Sequence, residues 1–132
     1  MANHKFGFED LGVWQKAVIF AKEVIDLSEN FQSLRLHYRL LDQLEASSTS
    51  VSMNIAEGSG RYSKKEFIQF LYIARGSLYE TLTLLQIVYS KKWIKEHDYS
   101  RIKVNASEIA RMLSGLIHSI KLSLDSELAT VN

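Results

Sequence analysis

No proline occurs anywhere in the 132 residues, and only six are glycine. Those two residues set tight turns and end strands, so a β-rich chain of this length normally uses many of both. A chain with so few suits long helices joined by a small number of loops. The length fits one domain spanning residues 1–132, and a 46% apolar composition can fill a core without staples. Cysteine is absent, which excludes disulfides, thiolate metal sites and cysteine nucleophiles and is compatible with a reducing compartment. The first eight residues lack the apolar run of a signal peptide, and the longest purely apolar stretch is residues 17–21. A membrane span needs about 20 such residues. The expectation is a cytoplasmic protein with no membrane association.

Hydrophobic spacing divides the chain into four helices. The first is expected over 8–30, with Leu11, Trp14, Val18, Ala21 and Ile25 three or four apart. Ala17, Phe20, Val24 and Leu27 widen that stripe. The second is expected over 36–57, where Leu40, Leu44, Val51 and Ile55 keep helical phase and Ser47 and Ser48 fill the gap. Gly58-Ser59-Gly60 reads as a break, since glycine adopts the left-handed conformation that ends helices. Ser63, with Glu66 three residues on, caps a third helix over 64–91. That helix carries two apolar stripes, one of Phe67, Leu71, Ala74, Leu78, Leu82 and Leu85, the other of Phe70, Ile73, Leu84 and Ile87. Apolar on two sides, it is expected to face the core with one and a partner subunit with the other. The fourth helix is expected over 99–124 on Ile102, Ala106, Ile109, Leu113, Leu116, Ile120 and Leu124, with residues 126–132 frayed. Short loops between long helices force antiparallel neighbours, so the predicted fold is all-α, an antiparallel up-down-up-down four-helix bundle.

A catalytic inventory is missing. His4, His37, His97 and His118 are scattered, and none falls in the Glu-x-x-His pattern of di-metal bundles. No serine occupies a Gly-x-Ser-x-Gly elbow, and Gly58-Ser59-Gly60 lacks the Gly-Lys-Ser/Thr ending of a phosphate loop. No enzymatic activity, metal or cofactor is expected. A polar stripe on helix 2, formed by Gln43, Ser47, Ser50, Asn54 and Glu57, adjoins the apolar face. It is either solvated or half of a hydrogen-bond network whose other half is Arg75, Ser77 and Glu80 around Gly76. A structural network fixing register or subunit packing is the favoured reading, because an unpaired buried polar group costs about 1–3 kcal/mol.

The net charge of +1 conceals an imbalance: −3 over residues 1–58, +6 over 59–121 and −2 beyond. Such asymmetry marks either ordinary solvated faces or an anionic partner. The cations form two groups. Arg61, Lys64 and Lys65 open helix 3, and Lys91, Lys92 and Lys95 follow its end, with Arg101 and Lys103 beyond. A helix of this length spans roughly 40 Å, so the groups lie at opposite ends of a protomer. Both are candidate phosphate contacts, and Tyr89, Trp93 and Tyr99 near the second could stack bases or simply plug the bundle end.

Residues 43–58, ending in Asn54-Ile55-Ala56-Glu57-Gly58, resemble the "four helix bundle protein" family, also called 23S rRNA intervening-sequence proteins. Residues 8–17, from Phe8-Glu9-Asp10-Leu11 to Lys16-Ala17, resemble the family's opening, and residues 67–80, ending in Arg75-Gly76-Ser77-Leu78-Tyr79-Glu80, its third helix. The resemblance covers about residues 6–95 and implies bundles that assemble into rings, typically homopentamers, with no enzymatic activity attached. It implies a link to RNA, because some members are encoded within intervening sequences of 23S rRNA genes. A similar bundle is the accessory protein of diversity-generating retroelements, contacting a reverse transcriptase and RNA. The implied motif positions are Asn54, Glu57, Gly58, Gly76, Ser77 and Glu80. The chain departs from the pattern at Glu45-Ala46, where the family carries a basic pair, and at Gln32, often proline in the family. The expectation is therefore a ring-forming, RNA-associated protein, with a protein-binding scaffold, for example for a reverse transcriptase, as the alternative.

Overall fold

A 3₁₀ turn at Gly7–Asp10 leads into four α-helices: α1 Gly12–Ser28, α2 Tyr38–Ser59, α3 Lys64–Ser90 and α4 Glu96–Val131. The computed structural model describes residues 4–30 and 37–131. The helix 1–2 connection, with Gln32 and the expected helix start at Leu36, lies outside the described residues. Each helix packs on two neighbours, α1 and α3 both lying between α2 and α4, which is the arrangement of a four-helix bundle. Contacts along the seams run antiparallel. Ser47 meets Thr81 while Ser50 meets Ser77. Tyr72 meets Lys121 while Arg75 meets Ser114. Lys16 pairs with Glu108 while Glu23 bonds Asn105.

The core is one apolar cluster fed by all four helices. Phe20, Leu44, Ile55, Leu71, Leu78, Leu85, Ile102, Ile109 and Leu113 are its largest fully buried side chains. On α1 Val13, Ala17, Phe20, Ala21 and Val24 are buried, so the core takes most of the residues that widen the predicted stripe, while Val18 is exposed. On α4 the line Ile102, Ala106, Ile109 and Leu113 continues through Ile117, while Leu116, Ile120 and Leu124 are half-buried. The fourth helix also runs past its expected end. It stays helical to Val131, held where the Lys64 ammonium reaches Ser123 at 2.7 Å and pairs with Glu127.

The junction of α2 and α3 falls at the expected break but is made without a left-handed glycine. Helix α2 continues through Gly58 to Ser59, and among the described residues no glycine has a positive φ. Gly58 is needed for space instead. A Cβ there would lie 2.6 Å from the Phe70 Cβ and 3.0 Å from the Phe67 ring, so its absence lets α2 and α3 close at this end. Ser63 then caps α3, its Oγ accepting from the Glu66 amide at 3.3 Å.

The far end of α3 stops differently. The Trp93 amide donates to the Val88 carbonyl and the Lys92 amide to the Tyr89 carbonyl, which is the Schellman pattern. Its left-handed position, normally glycine, is held by Lys92 at φ 63°. The sequence places the helix end near here but not this type of turn, because the glycine that usually signals it is absent.

Candidate nucleic-acid interface

The polar stripe of α2 meets α3 inside the protomer. Thr81 Oγ1 donates to Ser47 Oγ at 2.8 Å, Ser50 and Ser77 share a 2.9 Å hydroxyl contact, and Asn54 Nδ2 donates to both the Ser50 carbonyl and its Oγ at 2.8 Å. Small hydroxyl side chains let the helices approach closely while keeping every polar atom satisfied. Among the described residues no buried side-chain nitrogen or oxygen lacks a partner.

The remaining residues of the expected network go elsewhere. Glu57 pairs with Arg61, four residues on and just past the end of α2. Arg75 points at α4, donating to Ser114 Oγ at 3.4 Å, because residues two apart on a helix face nearly opposite ways and Ser77 faces α2. Gln43, Gly76 and Glu80 are exposed on the outer side of the α2–α3 pair, and nothing lies within 4 Å of where a Gly76 Cβ would be. Thr81 was missed. Its signal was a hydroxyl four residues after Ser77, on the line Ala74, Leu78, Leu85 that faces inward.

The two basic groups lie at opposite ends of the bundle, as the helix length requires. At the α2–α3 end the charge is largely spent within the protomer. Arg61 pairs with Glu57 and sits over the Phe70 ring, and Lys64 is tied to Ser123 and Glu127. Lys65 is exposed. At the α3–α4 end Lys91, Lys92 and Lys95 are all exposed and form no ion pair among the described residues. Lys91 lies 5.8 Å from the Trp93 ring centroid, and Trp93 stacks on His37 at 4.6 Å. That contact brings the start of α2, with exposed Tyr38 and Arg39, to the same end.

Along the α3–α4 seam the structure assembles a cluster that the sequence did not single out. Lys121 Nζ donates to the Tyr72 hydroxyl at 2.7 Å, and the Lys121 and Arg75 cations stand 5.2 and 4.9 Å from the Tyr72 ring centroid. The hydrogen bond from Lys121 holds the Tyr72 phenol below its ordinary pKa, partial desolvation opposes the shift, and the charges of Lys121 and then Arg75 reinforce it.

The described surface has several clefts. The one between α1 and α4 is lined by Lys16, Ile19, Phe20, Glu23, Asn105, Glu108 and Ile109. Its carboxylates are engaged, Glu108 with Lys16 at 3.0 Å and Glu23 with Asn105 at 2.9 Å. Among the described residues no group of three His, Asp or Glu could hold a metal ion, and no helix is long and apolar enough to cross a membrane.

Four helices around one apolar core, a hydroxyl-paired seam and basic residues left facing outward define a helical-bundle protein. More specifically, the chain belongs to the 23S rRNA-intervening sequence protein family, whose model matches residues 9–115. It is similar to the crystal structure of a protein of unknown function from the S23 ribosomal protein family of Bacteroides thetaiotaomicron VPI-5482. The two share 27% identity at a TM-score of 0.74, over 80% of this chain and 97% of that one. No curated protein matches the sequence. Neither similarity points to an enzyme family.

Proposed function

We propose that this protein is a non-enzymatic, self-assembling bundle of the cytoplasm that binds RNA through the end carrying the α3–α4 turn. The observation that carries the reading is Lys92. A non-glycine residue in the left-handed region costs about 1 kcal/mol or more, and glycine would remove that cost. A retained cost of this kind points to use of the side chain. The lysine stands between Lys91 and Lys95, neither of them in an ion pair, beside the stacked His37 and Trp93 rings. Cations not committed to internal carboxylates are the ones free to replace counterions on phosphates.

Self-assembly rests on the outer face of α2 and α3. Met53, Ile73 and Ile87 are 66%, 51% and 47% exposed, a large apolar display for helices already packed on two sides. Gly76 sits among them in mid-helix, costing about 1 kcal/mol against alanine, with no contact in its own protomer that needs a bare backbone. Close approach of a second copy accounts for it. A ring is the assembly that the family resemblance implies, with a homopentamer as the expected size.

The test titrates a labelled structured RNA at several salt concentrations. Affinity should fall steeply with salt, and Lys91→Ala/Lys92→Ala/Lys95→Ala should flatten the log–log slope by about 2–3. An unchanged slope in that variant removes the turn from the interface. No binding at any salt overturns the RNA reading and favours the accessory role, with a polymerase or reverse transcriptase as the partner to test. Sedimentation of Ile73→Arg, expected to be smaller than the wild type, checks the assembly surface separately.

A further inference from the structure

Every ion pair among the described residues draws its cation from outside one strip of surface. Lys5, Lys16, Lys22, Arg61, Lys64 and Arg101 all have carboxylate partners. Arg75, Lys103, Arg111 and Lys121 have none, and they lie along a single seam. On α4, Lys103, Ser107, Arg111, Ser114, His118 and Lys121 recur every three or four residues and are all exposed, so they share one face. That face borders α3. Lys121 reaches Tyr72, Ser114 accepts from Arg75, and Lys103 lies 5.6 Å from the ring of Tyr99, whose hydroxyl bonds Gln86 of α3. The row has no acidic residue between Lys103 and Lys121; on the same face Glu96 precedes it by two turns and Asp125 follows it by one. Between Tyr72 and Gln86, α3 adds the half-exposed Tyr79 at the same spacing. From Lys103 to Lys121 the row is about 27 Å long. Its near end approaches the lysines of the α3–α4 turn, Lys103 being eight residues beyond Lys95.

We infer that the α3–α4 seam is a track for the sugar–phosphate backbone of single-stranded RNA, with Lys103, Arg111, Arg75 and Lys121 as its phosphate contacts. The inference rests on the RNA reading above and extends it from the bundle end along the bundle side. Arg75 makes one long bond, to Ser114, so the rest of its guanidinium fork remains open for phosphate oxygens. Tyr79 is exposed and in register with the row, and an exposed aromatic ring can stack on a base only where the strand is unpaired. A merely solvated helix face would intersperse carboxylates among the cations, as the exposed Lys22 and Asp26 do on α1. Lys121 lies beyond residues 9–115, the part matched by the family model.

The experiment measures binding of an unstructured labelled RNA of about 15 nucleotides by anisotropy at several salt concentrations, with full-length protein. Arg111→Ala/Lys121→Ala should flatten the salt slope by about 1.4, at roughly 0.7 per phosphate contact on a single strand. Lys5→Ala/Lys22→Ala removes the same charge away from the seam and should leave the slope unchanged. Tyr79→Ala should weaken binding about tenfold with the slope intact. Circular dichroism confirms that each variant is folded. Equal slopes in the seam variant and the wild type, with the turn-lysine variant still impaired, overturn the track and leave the RNA reading standing. A wild type that binds no RNA overturns both. Loss in the seam variant alone keeps the track and removes the turn. If polyglutamate competes as well as RNA and Tyr79→Ala changes nothing, the seam is a surface for an acidic protein and the inference is overturned.

Discussion

One end of this bundle has a glycine without a left-handed backbone, and the other has a left-handed backbone without a glycine. At the α2–α3 end Gly58 stays helical and is required because Phe67 and Phe70 occupy the space of a side chain. At the α3–α4 end Lys92 holds the conformation that glycine usually supplies. The charges divide the same way. Arg61 and Lys64 are paired within the chain, whereas Lys91, Lys92 and Lys95 are left to the outside. The lesson is that two clusters of equal charge in the sequence can be employed oppositely, one in closing the fold and one left exposed without an internal ion-pair partner among the described residues.

Gly58→Ala should cause the largest change. The new methyl meets a Cβ fixed to the α3 backbone, so the helices must part, costing about 1–3 kcal/mol by urea unfolding despite alanine's better helix propensity. Lys92→Gly should do the reverse at the other end, raising stability by about 1 kcal/mol while weakening RNA binding. A variant that gains stability with binding intact would dissolve the contrast between the ends. Smaller still, Lys64→Ala should cost no more than about 1 kcal/mol, since its pair with Glu127 is surface-exposed, and it should leave the salt slope of RNA binding alone. The finest test is spectroscopic. Lys121→Ala removes the hydrogen bond that lowers Tyr72, so the Tyr72 pKa should rise toward the ordinary tyrosine value in an NMR titration. A Tyr72 that does not move would mean that the seam cations are not held against its ring.

The four helices were legible because their apolar residues repeat with helical period, and the Ser63 cap because its signal is local. What failed depended on partners far away in sequence. Gly58 reads as a hinge inside Gly-Ser-Gly until Phe70, twelve residues on, is seen against it. Lys64 reads as free until α4, helical beyond its expected end, brings Glu127 to it from 63 residues away. Arg75 sits beside the Gly76-Ser77 motif in sequence and on the other side of the helix in space. Of the candidate interface, the sequence carried the residue types and both clusters. It did not carry which cations were already engaged, nor that Tyr72 and Lys121 meet.

The hydroxyl contacts between α2 and α3 also bear on how the chain reaches its fold. Ser50–Ser77 closes 27 residues and Thr81–Ser47 closes 34 around the same turn, so the second loop is nearly formed once the first has closed. Asn105–Glu23 on the α1–α4 seam must bridge 82. Pairing should begin between helices adjacent in sequence, with the α2–α3 hairpin closing ahead of the α1–α4 seam. Substitutions at Ser77 or Thr81 should then slow refolding, while those at Asn105 should mainly speed unfolding.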